Sequence, residues 1–315
     1  MDGTVAMTRD KLEHIPVMRE EAVAALALRA DGRYLDATFG RGGHASRILA
    51  TLGPRARLLL MDRDPEAIAV ARDRFGADPR VSIRHASFAD LSEWPETADL
   101  DGVLFDFGVS SPQLDDPARG FSFLADAALD MRMDPTRGDS AADFLAHAEE
   151  HEIANVLWQY GEERMSRRIA RAIVAQRAEA PLVRTGDLAA LIERVIGRRE
   201  PGKHPATRSF QALRIHVNGE LQAIEDGLAA VLPRLRPAAR LVAISFHSLE
   251  DRIVKRFIRD RSGIEVGNRR RPPAPGGAPR AELRAVGKAV FPSAAEVAAN
   301  PRARSAVLRV AEKLA

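Results

Sequence analysis

Cysteine is absent from this 315-residue chain, which excludes disulfides and thiolate metal sites. Large aromatics are scarce: two Trp and two Tyr, too few for an aromatic-rich RNA-stacking surface. No uninterrupted apolar run approaches the roughly 20 residues needed to span a bilayer. The N-terminal stretch MDGTVAMTRDKLEHIPV has no apolar centre like that of a signal peptide. These absences predict a cytoplasmic protein with no membrane partner. What is present is the balance of a globular protein, 45% hydrophobic and 29% charged. The length suits one large domain or two ordinary ones.

Net charge is only +3, but it is unevenly spread. Residues 86–150 hold 15 acidic and 3 basic side chains, residues 161–214 hold 12 basic and 6 acidic, and residues 269–304 hold 8 basic and 2 acidic. Such a chain can turn a basic face to phosphates. Arg-rich helices that are simply solvated account for the same counts equally well.

Apolar runs and breakers predict the elements. A helix over Glu20–Leu28 is followed by a short strand at Arg33–Thr38 and a glycine turn at Phe39–Gly43. Leu58–Met61 reads as a buried parallel strand, and Asp64-Pro65 caps the helix after it. Val81–His85 and Gly102–Phe107 are the next strands. Strand alternating with helix is the pattern of a doubly wound, mostly parallel α/β sheet. The pattern stops at Leu114. Helical spacing follows at Ala141–Glu149, Glu152–Tyr160, Glu162–Ala178 and Thr185–Ile196. A long helix over Asn218–Leu235, a strand at Arg240–Ser245, a helix at Leu249–Arg261 and a last strand at Ser305–Ala311 complete the chain. Arg269–Arg280 reads as a basic loop. The expected organisation is a discontinuous core, residues 1–113 and 211–315, with an α-helical domain inserted at 114–210.

Three strand ends carry carboxylates. Gly40, Gly42 and Gly43 lie in a G-x-G-x-x-A turn, where backbone can approach a ligand at a helix N-terminus. Asp62 follows Gly40 by 22 residues, where an acid can accept both hydroxyls of a ribose. Asp36 precedes the turn, and Asp106 ends the fourth strand. These two suit a ligand with a cationic amino group better than a pyrophosphate, which favours S-adenosylmethionine over a nicotinamide cofactor. Phe88 can pack on an adenine face or in the core.

Val109-Ser110-Ser111-Pro112-Gln113 follows the fourth strand directly. The exocyclic amine of cytosine or adenine shares its lone pair with the ring and is a poor nucleophile. Acceptors placed against its N–H bonds return electron density to the nitrogen. Asp106 and Ser110 are the expected acceptors and are the catalytic candidates. His247, after the strand RLVAIS, either contacts the base or its phosphate or caps the helix that follows. Asp126, Asp130 and Asp134 lack a calcium-loop glycine pattern and read as a solvated acidic loop. No metal is expected.

The segments TFGRGGH, DRDP, GVSSPQLD, RGFSF, LDMRMD, YGEER, HPATRSFQALRI, ISFHSLEDRIVKRF and NPRARSAVLR, in that order, resemble the bacterial 16S ribosomal RNA cytosine-N4 methyltransferase family. The resemblance runs from His14 to about Arg309 and reaches into the helical insertion. It implies a class I methyltransferase fold and N4 methylation of a cytidine in the decoding region, with S-adenosylmethionine as donor. It implies cofactor contacts at Gly42, Gly43, His44, Asp62, Phe88, Asp106 and Gln113. Of these, Gln113 comes from the resemblance alone. The chain departs from the family in FDF before GVSS, where a Leu-rich version is expected, but retains Asp106.

The implied partner is 16S rRNA within the small ribosomal subunit. Gly161–Arg164 is expected to open an Arg-rich helix. With the basic loop Lys203–Arg208, Arg214 and His216, it would position RNA through phosphates without reading sequence. The target base must leave any stack to reach the methyl group. Apolar stripes on the inserted helices fit either a homodimer surface or the insertion's own core. Two other functions use the same residues: a DNA amino-methyltransferase, and a non-catalytic assembly factor that binds ribosomal RNA.

Overall fold

The computed structural model describes residues 16–197, 204–263 and 280–315. His14, Lys203 and the basic stretch from Arg269 lie outside the described residues. Among the described residues seven strands are formed: β1 (Arg33–Asp36), β2 (Arg57–Asp62), β3 (Val81–His85), β4 (Leu100–Asp106), β5 (Leu235–Ser245), β6 (Leu283–Ala285) and β7 (Val307–Lys313). They make one sheet in the order 3-2-1-4-5-7-6. The pairings among β1 to β5 are parallel, and β7 runs antiparallel to both β5 and β6. This is the sheet of a class I methyltransferase, as the strand–helix alternation and the resemblance led us to expect.

The strands are apolar on both faces because both faces are covered. Leu58 and Leu60 point into one core with α1 (Arg19–Ala25), α2 (Gly43–Leu49) and α3 (Pro65–Phe75). Leu59 and Met61 point into a second core, as the two-residue period of a strand requires. That second core is closed by α10 (Glu220–Val231) and α11 (Ser248–Arg261). Each fully buried leucine contributes about 1.5–3 kcal/mol relative to exposure. Asp64 starts α3 as the sequence predicts: its Oδ1 accepts the Glu66 N–H at 2.9 Å, and Pro65 occupies the first helical position.

Between β4 and β5 the chain forms α4 (Ser111–Asp115), α5 (Ala141–His147), α6 (Glu150–Gly161), α7 (Ser166–Glu179), α8 (Thr185–Ile196) and α9 (Thr207–Asn218). A third apolar cluster, from Phe121 to Leu213, joins this segment. The expected domain boundary after residue 210 falls inside α9. A short helix, α12 (Ala294–Ala299), precedes β7. Among the described residues no helix is long and apolar enough to cross a membrane.

Several local expectations are corrected. The helix expected over 218–235 is divided, because Gly219 sits at φ +58° between α9 and α10. Gly161 ends α6 rather than opening a helix; Glu162 turns at φ +50°, and α7 starts at Ser166. The acids expected in a solvated loop are only partly so: Asp126 is exposed, Asp130 is half-buried and Asp134 is withdrawn. Asp126 pairs with Arg184 and Asp130 with Arg132 at 2.7 Å, while Asp134 is buried and accepts from Thr136. β6, α4 and α12 are too short to leave a periodic signal and were not anticipated.

Candidate active site

The ends of β1, β2 and β4 open into one cavity of about 340 Å³, walled also by the Val109–Gln113 turn. Parallel pairing brings these ends together: Asp36 lies beside Leu104, and Leu60 lies beside Asp36 on the other edge. The turn after β1 is tied to both neighbours. The Phe39 N–H donates to the Met61 carbonyl at 3.0 Å, and Thr38 Oγ1 accepts the Asp106 N–H at 2.7 Å. Asp62 braces the glycine turn, its Oδ2 accepting the Gly40 N–H at 2.7 Å and its Oδ1 the Asp64 N–H at 2.9 Å. Each oxygen keeps further acceptor capacity.

Of the expected cofactor residues, Gly43, His44, Asp62, Phe88, Asp106 and Gln113 line the cavity, and so does Ser110. Gly42 does not. It stands at φ +78°, and a Cβ there would come within 2.6 Å of the Phe39 ring. Glycine is therefore required by the turn's own packing. The buried His44 places Nδ1 3.7 Å from Asp106 Oδ2, so its side chain as well as its backbone faces the site. Phe88 packs in the core, as one of its two expected roles requires. Its ring meets Phe105 edge-on at 5.6 Å, and it also forms cavity wall.

Gln113 is engaged on both ends. Its Oε1 accepts the Ser110 N–H at 2.9 Å, and its Nε2 donates to Asp64 Oδ2 at 2.7 Å. Arg119 joins the same Asp64 oxygen at 3.0 Å and reaches the Met133 carbonyl at 2.8 Å. The side chain of Gln113 thus holds the Ser-Ser-Pro turn against the start of α3.

The electrostatics select for positive charge. Burial pushes the Asp36 carboxyl up to about 7, with nearby Asp62 adding to the effect against one backbone hydrogen bond from Thr38. Burial also raises Asp62. Asp106 is driven well above the ordinary carboxylate range, by burial first and then by the charges of Asp36 and Glu250. Asp36 Oδ2 and Asp106 Oδ1 are buried and accept no hydrogen bond. Acids so placed are stabilised by a cation more than by anything else.

A family model described as the MraW methylase family matches residues 11–314. The chain belongs to the MraW methylase family. This methylase is 58% identical over 308 residues to Ribosomal RNA small subunit methyltransferase H of Xylella fastidiosa (strain 9a5c), covering 96% of this chain and 98% of that protein. It is 56% identical over 312 residues to the like-named protein of Stenotrophomonas maltophilia (strain K279a), covering 99% and 96%. A solved rRNA methylase from Streptococcus thermophilus aligns over 95% of each chain with a TM-score of 0.42 at 11% identity. A donor bearing both an ammonium and a sulfonium suits the buried acids of this methylase, and Asp36 and Asp106 are the residues whose charge it would neutralise.

Two expected RNA-contacting groups are withdrawn from the surface. Arg214 bonds Glu220 through Nε at 2.8 Å and Nη2 at 3.0 Å and forms part of the cavity wall. His216 packs on Phe144 with ring centroids 4.2 Å apart, and burial holds it below the ordinary histidine value against the charge of Glu152. Arg164, Arg167, Arg168 and Arg171 remain exposed at or along α7.

Of the opposite cavity wall the sequence singles out Arg214 and the segment after RLVAIS, but assigns no role to Glu220, Asn300 or Arg302. That wall comprises Arg214, Glu220, Phe246 and Glu250, with Asn300 and Arg302 from the segment before β7. Glu250 stands at the third position of α11, that of a capping acid, and accepts the Phe246 N–H at 2.7 Å. Its complete burial was not readable from that pattern. Glu220, His247 and Glu250 bring one possible ligand atom each within 4.8 Å of one another. The guanidinium of Arg214 already supplies the positive charge at Glu220.

Proposed function

We propose that this methylase transfers the methyl group of S-adenosylmethionine to the exocyclic N4 amine of a cytidine in the decoding region of 16S ribosomal RNA, in the cytoplasm, on RNA held in the small ribosomal subunit. The observation that carries the reading is the convergence of Asp62, Asp106 and the Ser110–Gln113 turn on one cavity, with the buried Asp36 ending β1 next to the cavity-lining Ala37 and Thr38. The names and high identity of the two relatives support ribosomal RNA as the substrate class.

The donor supplies an activated methyl on a cationic sulfur. The protein's work is alignment and charge placement. In this reading Asp62 holds the ribose and Phe88 flanks the adenine. The backbone at Gly43 and His44, in the turn that Gly42 shapes, seats the methionine portion beside Asp36 and Asp106. Gln113 keeps the turn in register. Asp106 and Ser110 face the amine as acceptors and return electron density to its nitrogen. The exposed arginines at and along α7 hold RNA phosphates without reading sequence.

The test is methyl transfer from labelled S-adenosylmethionine to free 16S RNA, to 30S subunits and to duplex DNA, with nucleoside analysis of the product. The expected result is N4-methylcytidine recovered from the subunits. Label on DNA, or measurable cofactor binding without transfer to any substrate, would overturn the proposal.

A further inference from the structure

The reaction-site wall contains a carboxylate to which the resemblance and the strand-end acids assign no role. Glu250 is fully buried on the first turn of α11. Its Oε2 is held by the N–H groups of Phe246 at 2.7 Å and His247 at 3.3 Å. Its Oε1 is otherwise placed. It is buried, has the His247 Nε2 at 3.1 Å and makes no aligned hydrogen bond, while Glu250 is among the residues that line the cavity. It also sits 3.8 Å from where a Cβ would stand at Gly108, two residues past Asp106 and two before Ser110. A buried carboxylate oxygen is costly unless a donor reaches it. Besides His247, the cavity that Glu250 lines is the side from which a donor can reach it.

We propose that Glu250 Oε1 accepts the N–H of the target amino group, reading an amine against a carbonyl and taking the proton released on methylation. This rests on the amino-group reading given above. The amine lone pair forms the N–C bond while the C–S bond breaks and its electron pair stays on sulfur, now neutral. The methylated nitrogen carries one proton too many. Glu250 Oε1 takes it and becomes a neutral carboxyl, with His247 Nε2 3.1 Å from that oxygen.

The surroundings favour this division of labour. Glu250 is faced by His247 from its own helix, Arg214 from α9, Glu220 from α10 and Asp106 from β4. Burial opposes its charge, but pairing with His247 and the field of Arg214 outweigh it and hold the carboxyl below its ordinary value. Asp106 is pushed the other way. Two carboxyls in one cavity with oppositely displaced pKa values mark distinct acid and base roles. A pyrimidine with a carbonyl at the same position would set its oxygen against Glu250 and leave the carboxylate without a donor. Sites built to receive an N–H reject such analogues strongly.

The test uses the full-length protein with Glu250→Gln, which keeps a carbonyl oxygen for the Phe246 N–H, and Glu250→Asp, which keeps the charge but withdraws it. Three readouts are taken: single-turnover methylation of 30S subunits, S-adenosylhomocysteine affinity, and binding of cytidine against uridine to the S-adenosylhomocysteine-loaded protein by saturation-transfer NMR. The proposal expects Glu250→Gln to slow transfer by about 100-fold or more and to lose the preference for cytidine, with S-adenosylhomocysteine affinity and melting temperature near wild type. Glu250→Asp should slow transfer while keeping the cytidine preference. Wild-type transfer rate and cytidine preference in Glu250→Gln would overturn the proposal and leave Glu250 as a helix cap. A wild-type product other than N4-methylcytidine would instead sink the function proposed above, whatever Glu250 does.

Discussion

Asp106 has the most to reveal at the level of single residues. Burial and two like charges hold the Asp106 carboxyl well above the ordinary carboxylate range, which favours its neutral form until a cation arrives. Asp36, at about 7, behaves likewise behind it. Binding of the cationic donor should therefore release protons near neutrality, and affinity should rise from about pH 6 to about pH 8. Calorimetry in buffers of different ionisation enthalpy reads this directly; proton-neutral binding would contradict it. For the ligand-free fold the sign is opposite. Raised folded-state values stabilise below the unfolded carboxylate range near pH 4, and the contribution of Asp36 is lost as pH rises through about 7. Asp106→Ala should cut methyl transfer by about 100- to 1000-fold while RNA affinity holds; a pure assembly role would survive the change.

The glycine turn and the Ser-Ser-Pro turn work as elements held from within. Gly42→Ala must place a Cβ 2.6 Å from the Phe39 ring at a positive φ. A cost of about 1–3 kcal/mol is expected, visible as a lower melting temperature and weaker donor binding together. Gln113→Ala removes the acceptor for the Ser110 N–H and the donor to Asp64. It should destabilise by about 1–3 kcal/mol, measured by chemical denaturation, and slow transfer through loss of the turn's geometry. A variant with unchanged stability but weakened S-adenosylhomocysteine binding would show that Gln113 serves as a direct cofactor contact instead. The turn residues were readable because Gly, Pro and Ser punctuate a chain locally. Their partners were not, since Asp64 lies 49 residues from Gln113.

Across the whole molecule, the helical insertion is fastened to the sheet through Asn218 at the end of α9. Its Oδ1 accepts the Met133 N–H at 2.7 Å, its Nδ2 donates to the Met131 carbonyl at 2.7 Å, and its own carbonyl accepts from Arg63. Asn218→Ala leaves two buried backbone groups unsatisfied, each worth about 1–3 kcal/mol. Broadened or two-step unfolding is the expected result, and a single transition at the wild-type midpoint would count against the fastening. Arg164, Arg167 and Arg171, changed together to Ala, should weaken RNA binding and flatten its salt dependence. The log–log slope should fall by up to about 0.7–0.9 for each phosphate the protein no longer neutralises. Donor affinity should not move.

The sequence by itself determined every strand of the sheet but β6, the order of acids at their ends, and the family, because these depend on local periodicity, punctuation and long contiguous motifs. It also indicated that a helical segment interrupts the sheet. Only the tertiary structure decided what each charge faces. Arg214 and His216 read as surface cations until α9 turned them inward, onto Glu220 and Phe144. Glu250, to which the sequence assigns no role, is set beside the turn after Asp106 by the parallel pairing of β4 with β5. Burial is a property of what packs from elsewhere in the chain, and no pattern confined to a few neighbouring residues contains it.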